Sequence, residues 1–145
     1  MKQEHYQKSI IVNGTTAEAF ERICQVDGWW AKNLEGNTEK ATDVFTVHFG
    51  TTFVTFRITE AVPEKRIVWL VTDCYLPWLK NNKTEWNGTR VIFDITPVAE
   101  GTRIDFTHEG LTPQAECYEN CRVGWDCHLE KGLQSLVNIG VGEPQ

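Results

Sequence analysis

The stretch over residues 106–139, FTHEGLTPQAECYENCRVGWDCHLEKGLQSLVNI, constrains the fold more than any other. A strand runs out through His108, turns at Gly110 and gives way to a long segment compatible with helix. Thr112 is placed to cap that helix, and Pro113 falls at the first helical position, where a missing N–H does no harm. No proline intervenes between there and Ile139, which predicts a helix about 40 Å long. Tyr118, Cys121, Trp125, Leu129, Leu136 and Ile139 recur with helical period and share one face. Gly132 lies on that face with Gly124 beside it, thinning the helix where something else approaches. A one-sided helix of this length needs a sheet to lie against.

The preceding sequence supplies the sheet. Residues 5–12 alternate and end in β-branched side chains, a first strand. Thr15 with Glu18 three positions later has the form of a capping box and opens a helix through Ala19, Phe20, Ile23 and Cys24. Trp29-Trp30-Ala31 begins a second, short helical turn, and residues 34–42 read as a loop or an irregular strand. Five β segments come next at 44–49, 52–61, 66–75, 89–97 and 102–109, each bounded by turn residues. Short turns imply an antiparallel meander, so the expected class is α+β: one curved sheet, two short helices after the first strand, and a long C-terminal helix gripped by the sheet.

Strand parity sorts the side chains. Ile104, Phe106 and His108 share one side of the last strand, and Val91, Phe93 and Ile95 share one side of the strand before. The 66–75 strand is apolar on both faces, which fits a central position. Residues 73–88 form the one irregular connection and carry Tyr75, Leu76, Trp78, Leu79 and Trp86 among lysines and asparagines. Such a loop is either a lid or a contact surface, or it folds back as a satellite cluster.

The chain has 145 residues, enough for a single domain over 1–145. Its net charge of −6 argues against nucleic acid, which requires a basic stripe. No apolar run is long enough to span a membrane. The N-terminal sequence lacks a signal-peptide core, so a cytoplasmic location is expected, with the five cysteines reduced. Six tryptophans and seven phenylalanines are many for this length, and they serve either to fill a core or to line a cavity.

Several short motifs together resemble the SRPBCC superfamily, also called START-like or helix-grip, and within it the heat-shock-protein-90 ATPase activator-like group. They are Gly28-Trp29-Trp30, Arg66-Ile67-Val68-Trp69, Trp86-Asn87-Gly88-Thr89 with Phe93-Asp94-Ile95, Gly101-Thr102 with Phe106 to Leu111, and Cys121-x-x-Gly124-Trp125. The resemblance runs through nearly the whole chain and implies a curved sheet around a C-terminal helix with a cavity between them. Relatives in the superfamily bind lipids, sterols, polyketides or plant hormones, and some are cyclases. The eukaryotic activator has an additional N-terminal domain that engages the chaperone, for which this chain has no room.

Three functions stand as expectations. The first is a binding domain for an apolar or amphipathic small molecule, lipid-like or aromatic, with Trp30, Phe49, Trp69, Phe93, Phe106, His108, Trp125 and Leu129 around the pocket and Trp78 and Trp86 on a lid. The second is a protein-interaction module related to chaperone activators. The third is a cyclase-like enzyme using His108 as a base, with Asp73 as its partner; a purely structural role for His108, bonded to the following turn, competes with it. Cys117, Cys121 and His128 fall in a narrow helical arc but lack a metal-binding spacing, and they read as packing residues rather than metal ligands or a disulfide. No cofactor motif is present.

Overall fold

The computed structural model of the protein describes residues 5–145. Seven strands, β1 (Tyr6–Val12), β2 (Asn33–Gly36), β3 (Val44–Phe49), β4 (Thr52–Val62), β5 (Arg66–Tyr75), β6 (Arg90–Val98) and β7 (Gly101–Glu109), form one sheet. The order is β1-β7-β6-β5-β4-β3-β2, antiparallel at every step. The strands from β2 to β7 are therefore a meander, and β1 closes on β7 with Tyr6 opposite His108 and Val12 opposite Thr102. Two register shifts between β4 and β5, at Thr55/Phe56 and Ile58/Glu60, bend the sheet as bulges do.

Strand parity holds. Ile104, Phe106 and His108 are all buried, as are Val91, Phe93 and Ile95. The strand apolar on both faces, β5, is the fourth of seven and thus central. Ile67, Trp69 and Val71 enter the core. On the outer face Val68 stands opposite Ile92, and the register sets this pair between the Arg66–Asp94 and Arg90–Glu109 ion pairs, 2.9 and 2.8 Å.

Between β1 and β2 lie α1 (Thr16–Cys24) and α2 (Val26–Trp29). The capping box forms, with the Glu18 N–H donating to Thr15 Oγ1 at 3.1 Å and the Thr15 N–H reaching Glu18 Oε1 at 3.5 Å. The second helix starts before Trp29 rather than at it, and Trp30 is its C-cap.

The C-terminal rod departs from expectation at its start and in its middle. It comprises α3 (Tyr118–Cys127), a π-helical segment (His128–Gln134) and α4 (Ser135–Ile139). Thr112 and Pro113 do not open it; the chain turns through 112–117 first. The reason is a distant cap: the Glu85 carboxylate accepts from the N–H groups of Glu116 (2.8 Å) and Cys117 (2.9 Å). These are amides a helix end leaves without internal partners. Leu129, Gly132, Leu133 and Leu136 continue the buried face of Trp125, whereas Ile139, expected on the same face, is 73% exposed at the last residue of the rod. Gly132 is where the rod meets α2, since a β-carbon there would stand 2.2 Å from the Trp29 carbonyl oxygen. Gln134 Nε2 donates to the Ile11 carbonyl (2.8 Å) and Lys8 pairs with Glu130 (2.8 Å), fastening the rod to β1. No helix among the described residues is long and apolar enough to cross a membrane.

Candidate functional site

Rod and sheet close tightly over most of their length but part at one end, leaving an open cleft of about 410 Å³. The β3–β4 hairpin contributes Phe49, Thr52 and Val54 to its wall. The loop after β5 contributes Leu76, Trp78 and Trp86, and α3 contributes Asn120, Cys121, Gly124 and Trp125. Trp30 and His128 complete it. None of these side chains is charged at neutral pH, because burial pushes the His128 imidazole down to about 4.

Aromatic rings make the cleft rigid. Trp125 has its centroid 4.9 Å from that of Trp30 and 4.6 Å from that of Phe106, and Trp86 stacks on it at 5.9 Å. Trp69 stacks on Trp30 at 6.3 Å and meets Phe93 edge-on at 4.9 Å. Trp30, Phe49 and Trp125, expected around a pocket, and Trp78 and Trp86, expected on a lid, all line this cleft. Trp69, Phe93, Phe106, His108 and Leu129 do not: all are essentially inaccessible and fill the core beyond the cleft. They lie on the inward side of their elements, but too far from the open end to reach the space.

His108 is a structural joint. Trp125 Nε1–H donates to its Nδ1 (3.1 Å), so its proton sits on Nε2, which lies 2.9 Å from Thr89 Oγ1. The Thr89 hydroxyl in turn donates to the Trp86 carbonyl at 2.6 Å. Burial drives the His108 pKa down to about 3, with a smaller effect from His5, and the ring is neutral. Asp73 is not its partner, for the Asp73 carboxylate accepts from the Cys74 N–H. Nor does the ring bond the turn that comes after it; the bond goes across to the Thr89 side chain instead. With both nitrogens engaged and no contact with the cleft, His108 is not placed to act as a base.

The loop after β5 does both things the sequence left open. Leu76, Leu79 and Trp86 fold back into the core, while Trp78 stays 46% exposed over the cleft. A reciprocal clasp holds it. While Glu85 caps the start of α3, the Glu116 carboxylate accepts from the N–H groups of Lys80 (3.1 Å), Asn81 (3.1 Å) and Asn82 (3.2 Å). Desolvation acts upward on the Glu116 pKa and is the largest single influence, but these amide bonds together outweigh it and hold the carboxyl below its ordinary value.

The side chains of Cys117 and Cys121 meet, their Cα atoms 5.6 Å apart, and Cys117 stands at the N-cap of α3 rather than inside it. Among the described residues no three His, Cys, Asp or Glu side chains gather as a metal site. Sequence reasoning missed Thr52, Val54, Leu76, Asn120 and, as cleft residues, Cys121, Gly124 and His128. The last two had a readable signal, flanking Trp125 on the helix at positions i−1 and i+3. Two buried nitrogens of the wall, Trp86 Nε1 and His128 Nδ1, have no hydrogen-bond partner among the described residues.

The sequence profile of the family described as "Activator of Hsp90 ATPase homolog 1-like protein" matches residues 18–138. No curated protein matches the chain. Among solved structures, the chain is similar to the Aha1 dimer from Colwellia psychrerythraea, with a TM-score of 0.78 at 19% identity over 96% of this chain and 99% of that one. It is also similar to protein MLL2253 from Mesorhizobium loti (TM-score 0.74, 16% identity, 92% and 96% covered). Protein BH1534 from Bacillus halodurans gives a TM-score of 0.70 at 14% identity, with 95% and 100% covered. At these identities the likeness is one of fold.

Proposed function

The chain belongs to the activator of Hsp90 ATPase homolog 1-like family, and from that premise we propose that it binds a neutral, largely apolar small molecule in the cleft between the hairpin end of the sheet and α3. The observation that carries this reading is the composition of the wall: five aromatic carbocycles or indoles, no charge, and an opening of about 410 Å³. Volumes of about 300–1,000 Å³ are usual for small-molecule sites. Burying a charged group there would leave it unpaired, at a cost of several kcal/mol. A planar hydrophobic molecule, by contrast, gains from stacking against rings already locked in place. The positioning of Trp125 by His108, and of Trp86 by Thr89 and the clasp, pre-forms the site and lowers the entropy lost on binding. One domain over 1–145 suffices for this activity.

The neutral fluorophore N-phenyl-1-naphthylamine tests the proposal. Saturable enhancement of its emission at about one molecule per chain, with matching quenching of tryptophan, supports it. Absence of saturable binding overturns it, and the interaction-module reading then takes its place, with Trp78 of the loop and Tyr75 at the end of β5, both exposed, as the contact residues.

A further inference from the structure

The two unpartnered nitrogens of the cleft wall say something about the molecule it takes. Trp86 is 93% buried, its relative exposure being 7%, and its Nε1–H, which can only donate, finds no acceptor among the described residues. His128 has Nδ1 closed off from the surface, also without a partner. The imidazole is neutral, so one nitrogen carries the proton and the other is bare. An orphaned buried N–H is rarer in proteins than an under-satisfied acceptor. The favoured tautomer therefore leaves Nδ1 bare and puts the proton on Nε2. Only Nδ1 of the two is closed off, so Nε2–H is the group that a molecule in the cleft reaches. The ring is held among Trp30, Phe49 and Trp125 with centroids 6.2, 6.5 and 6.2 Å away. None of the three offers it an acceptor.

We propose that His128 is the polar anchor of the cleft, presenting Nε2–H to an acceptor oxygen, and that the ligand is a neutral ring compound bearing a carbonyl. Trp86 Nε1–H is closed off from the surface just as His128 Nδ1 is, so His128 Nε2–H is the ring group left to meet a ligand, and it asks for an acceptor. A carboxylate would satisfy it but would bring an uncompensated charge into an uncharged cleft of an acidic protein. A ketone or lactone oxygen satisfies it without that penalty. The proposal rests on the cleft being a binding site.

The test compares two shape-matched neutral probes, 2-acetylnaphthalene and 2-ethylnaphthalene, by equilibrium dialysis at pH 7, with 2-naphthoate as a charged third. In the parent protein the ketone is expected to bind more tightly than the carboxylate. In His128→Phe the affinity ratio of ketone to hydrocarbon should fall about ten-fold, the size of one hydrogen bond near 1.4 kcal/mol. His128→Gln, which keeps an amide donor, should restore most of that ratio. His128→Leu serves as a second donor-free variant should the phenylalanine not fold. Retained binding of 2-ethylnaphthalene shows that each variant keeps its cleft. An unchanged ratio in the donor-free variants overturns the anchor while leaving the binding reading intact, and tighter binding of 2-naphthoate overturns the neutral class. If 2-ethylnaphthalene and 2-acetylnaphthalene both fail to bind the parent, the binding reading falls and the anchor falls with it.

Discussion

Trp125 and His108 are joined by a 3.1 Å hydrogen bond from the indole N–H to Nδ1, linking the last turn of α3 to the end of β7. The bond requires a bare Nδ1, and protonating the ring would leave two N–H groups facing each other. Because Nε2 is committed to Thr89, and Thr89 to the Trp86 carbonyl, one imidazole sets two of the tryptophans of the cleft wall.

That arrangement makes the fold acid-sensitive in a defined window. The His108 pKa falls from its ordinary 6.5 to about 3 on folding, through burial first and His5 second. A histidine depressed in this way contributes its full stability above the unfolded value. The contribution is lost as the pH falls from about 6.5 towards 3, because over that range the unfolded chain takes up a proton the folded one refuses. His128, lowered to about 4 by burial, acts in the same direction. Melting temperatures should therefore drop from pH 7.5 to pH 4.5. His108→Gln, which keeps a donor and an acceptor but cannot titrate, should show a shallower drop. An identical pH dependence in the variant would assign the acid limb to other groups.

Trp125→Ala removes a ring that is 2% exposed and in contact with Trp30, Trp86 and Phe106. The expected loss is about 3–5 kcal/mol in denaturant unfolding, as for large-to-small aromatic changes in cores. The loss of His108's partner adds to it, since an acceptor is left unpaired. A loss below about 1 kcal/mol would mean that the cleft collapses around the vacancy.

The clasp is testable without unfolding the protein. Glu116→Gln weakens three charge-assisted bonds to the backbone of the loop. Hydrogen exchange at the amides of Lys80, Asn81 and Asn82 should quicken in the variant, while amides of β6 and β7 stay protected. The Glu116 carboxyl sits below its ordinary value of 4.5. Its contribution is thus complete above about pH 4.5 and is lost as the pH falls through the depressed value, so the parent's loop should approach the variant's exchange rates in acid. Equal rates at neutral pH would show that the Glu116 carboxylate does not hold the loop.

Most of the strands, and the capping box at Thr15, are legible in the sequence because each is set by residues a few positions apart. Parity also tells which side of each strand faces inward. It does not tell how far along the strand a residue lies from the open end. Phe49 and Trp30 therefore reach the cleft while Phe93 and Phe106, equally inward, fill the core. The start of the rod escapes a sequence reading for a different reason. Thr112 and Pro113 are a plausible local cap, but Glu85 satisfies the amides of Glu116 and Cys117 from 31 and 32 residues away, a partnership no local pattern announces. Ile139 escapes a sequence reading too: it repeats with the buried face, but it is the last residue of the rod and stands 73% exposed.

Gly124 and Gly132, two turns apart on the rod, give the sharpest contrast. Both thin the helix, for opposite reasons. At Gly132 an added β-carbon would stand 2.2 Å from the Trp29 carbonyl oxygen, against backbone that has no room to yield. At Gly124 it would meet nothing within 4 Å, because the space beside it is the cleft. Gly132→Ala should therefore lower the melting temperature, the clash outweighing the gain of about 0.5–1 kcal/mol that alanine brings to a helix. Gly124→Ala should raise it by that helical gain and leave the cleft open. Gly124→Leu should fold as well as the parent, since leucine is also a good helix former, but its side chain should fill the cleft and abolish saturable binding of N-phenyl-1-naphthylamine. A Gly124→Leu protein that folds and still binds the fluorophore with the parent's affinity would place the probe elsewhere and remove the cleft as its site.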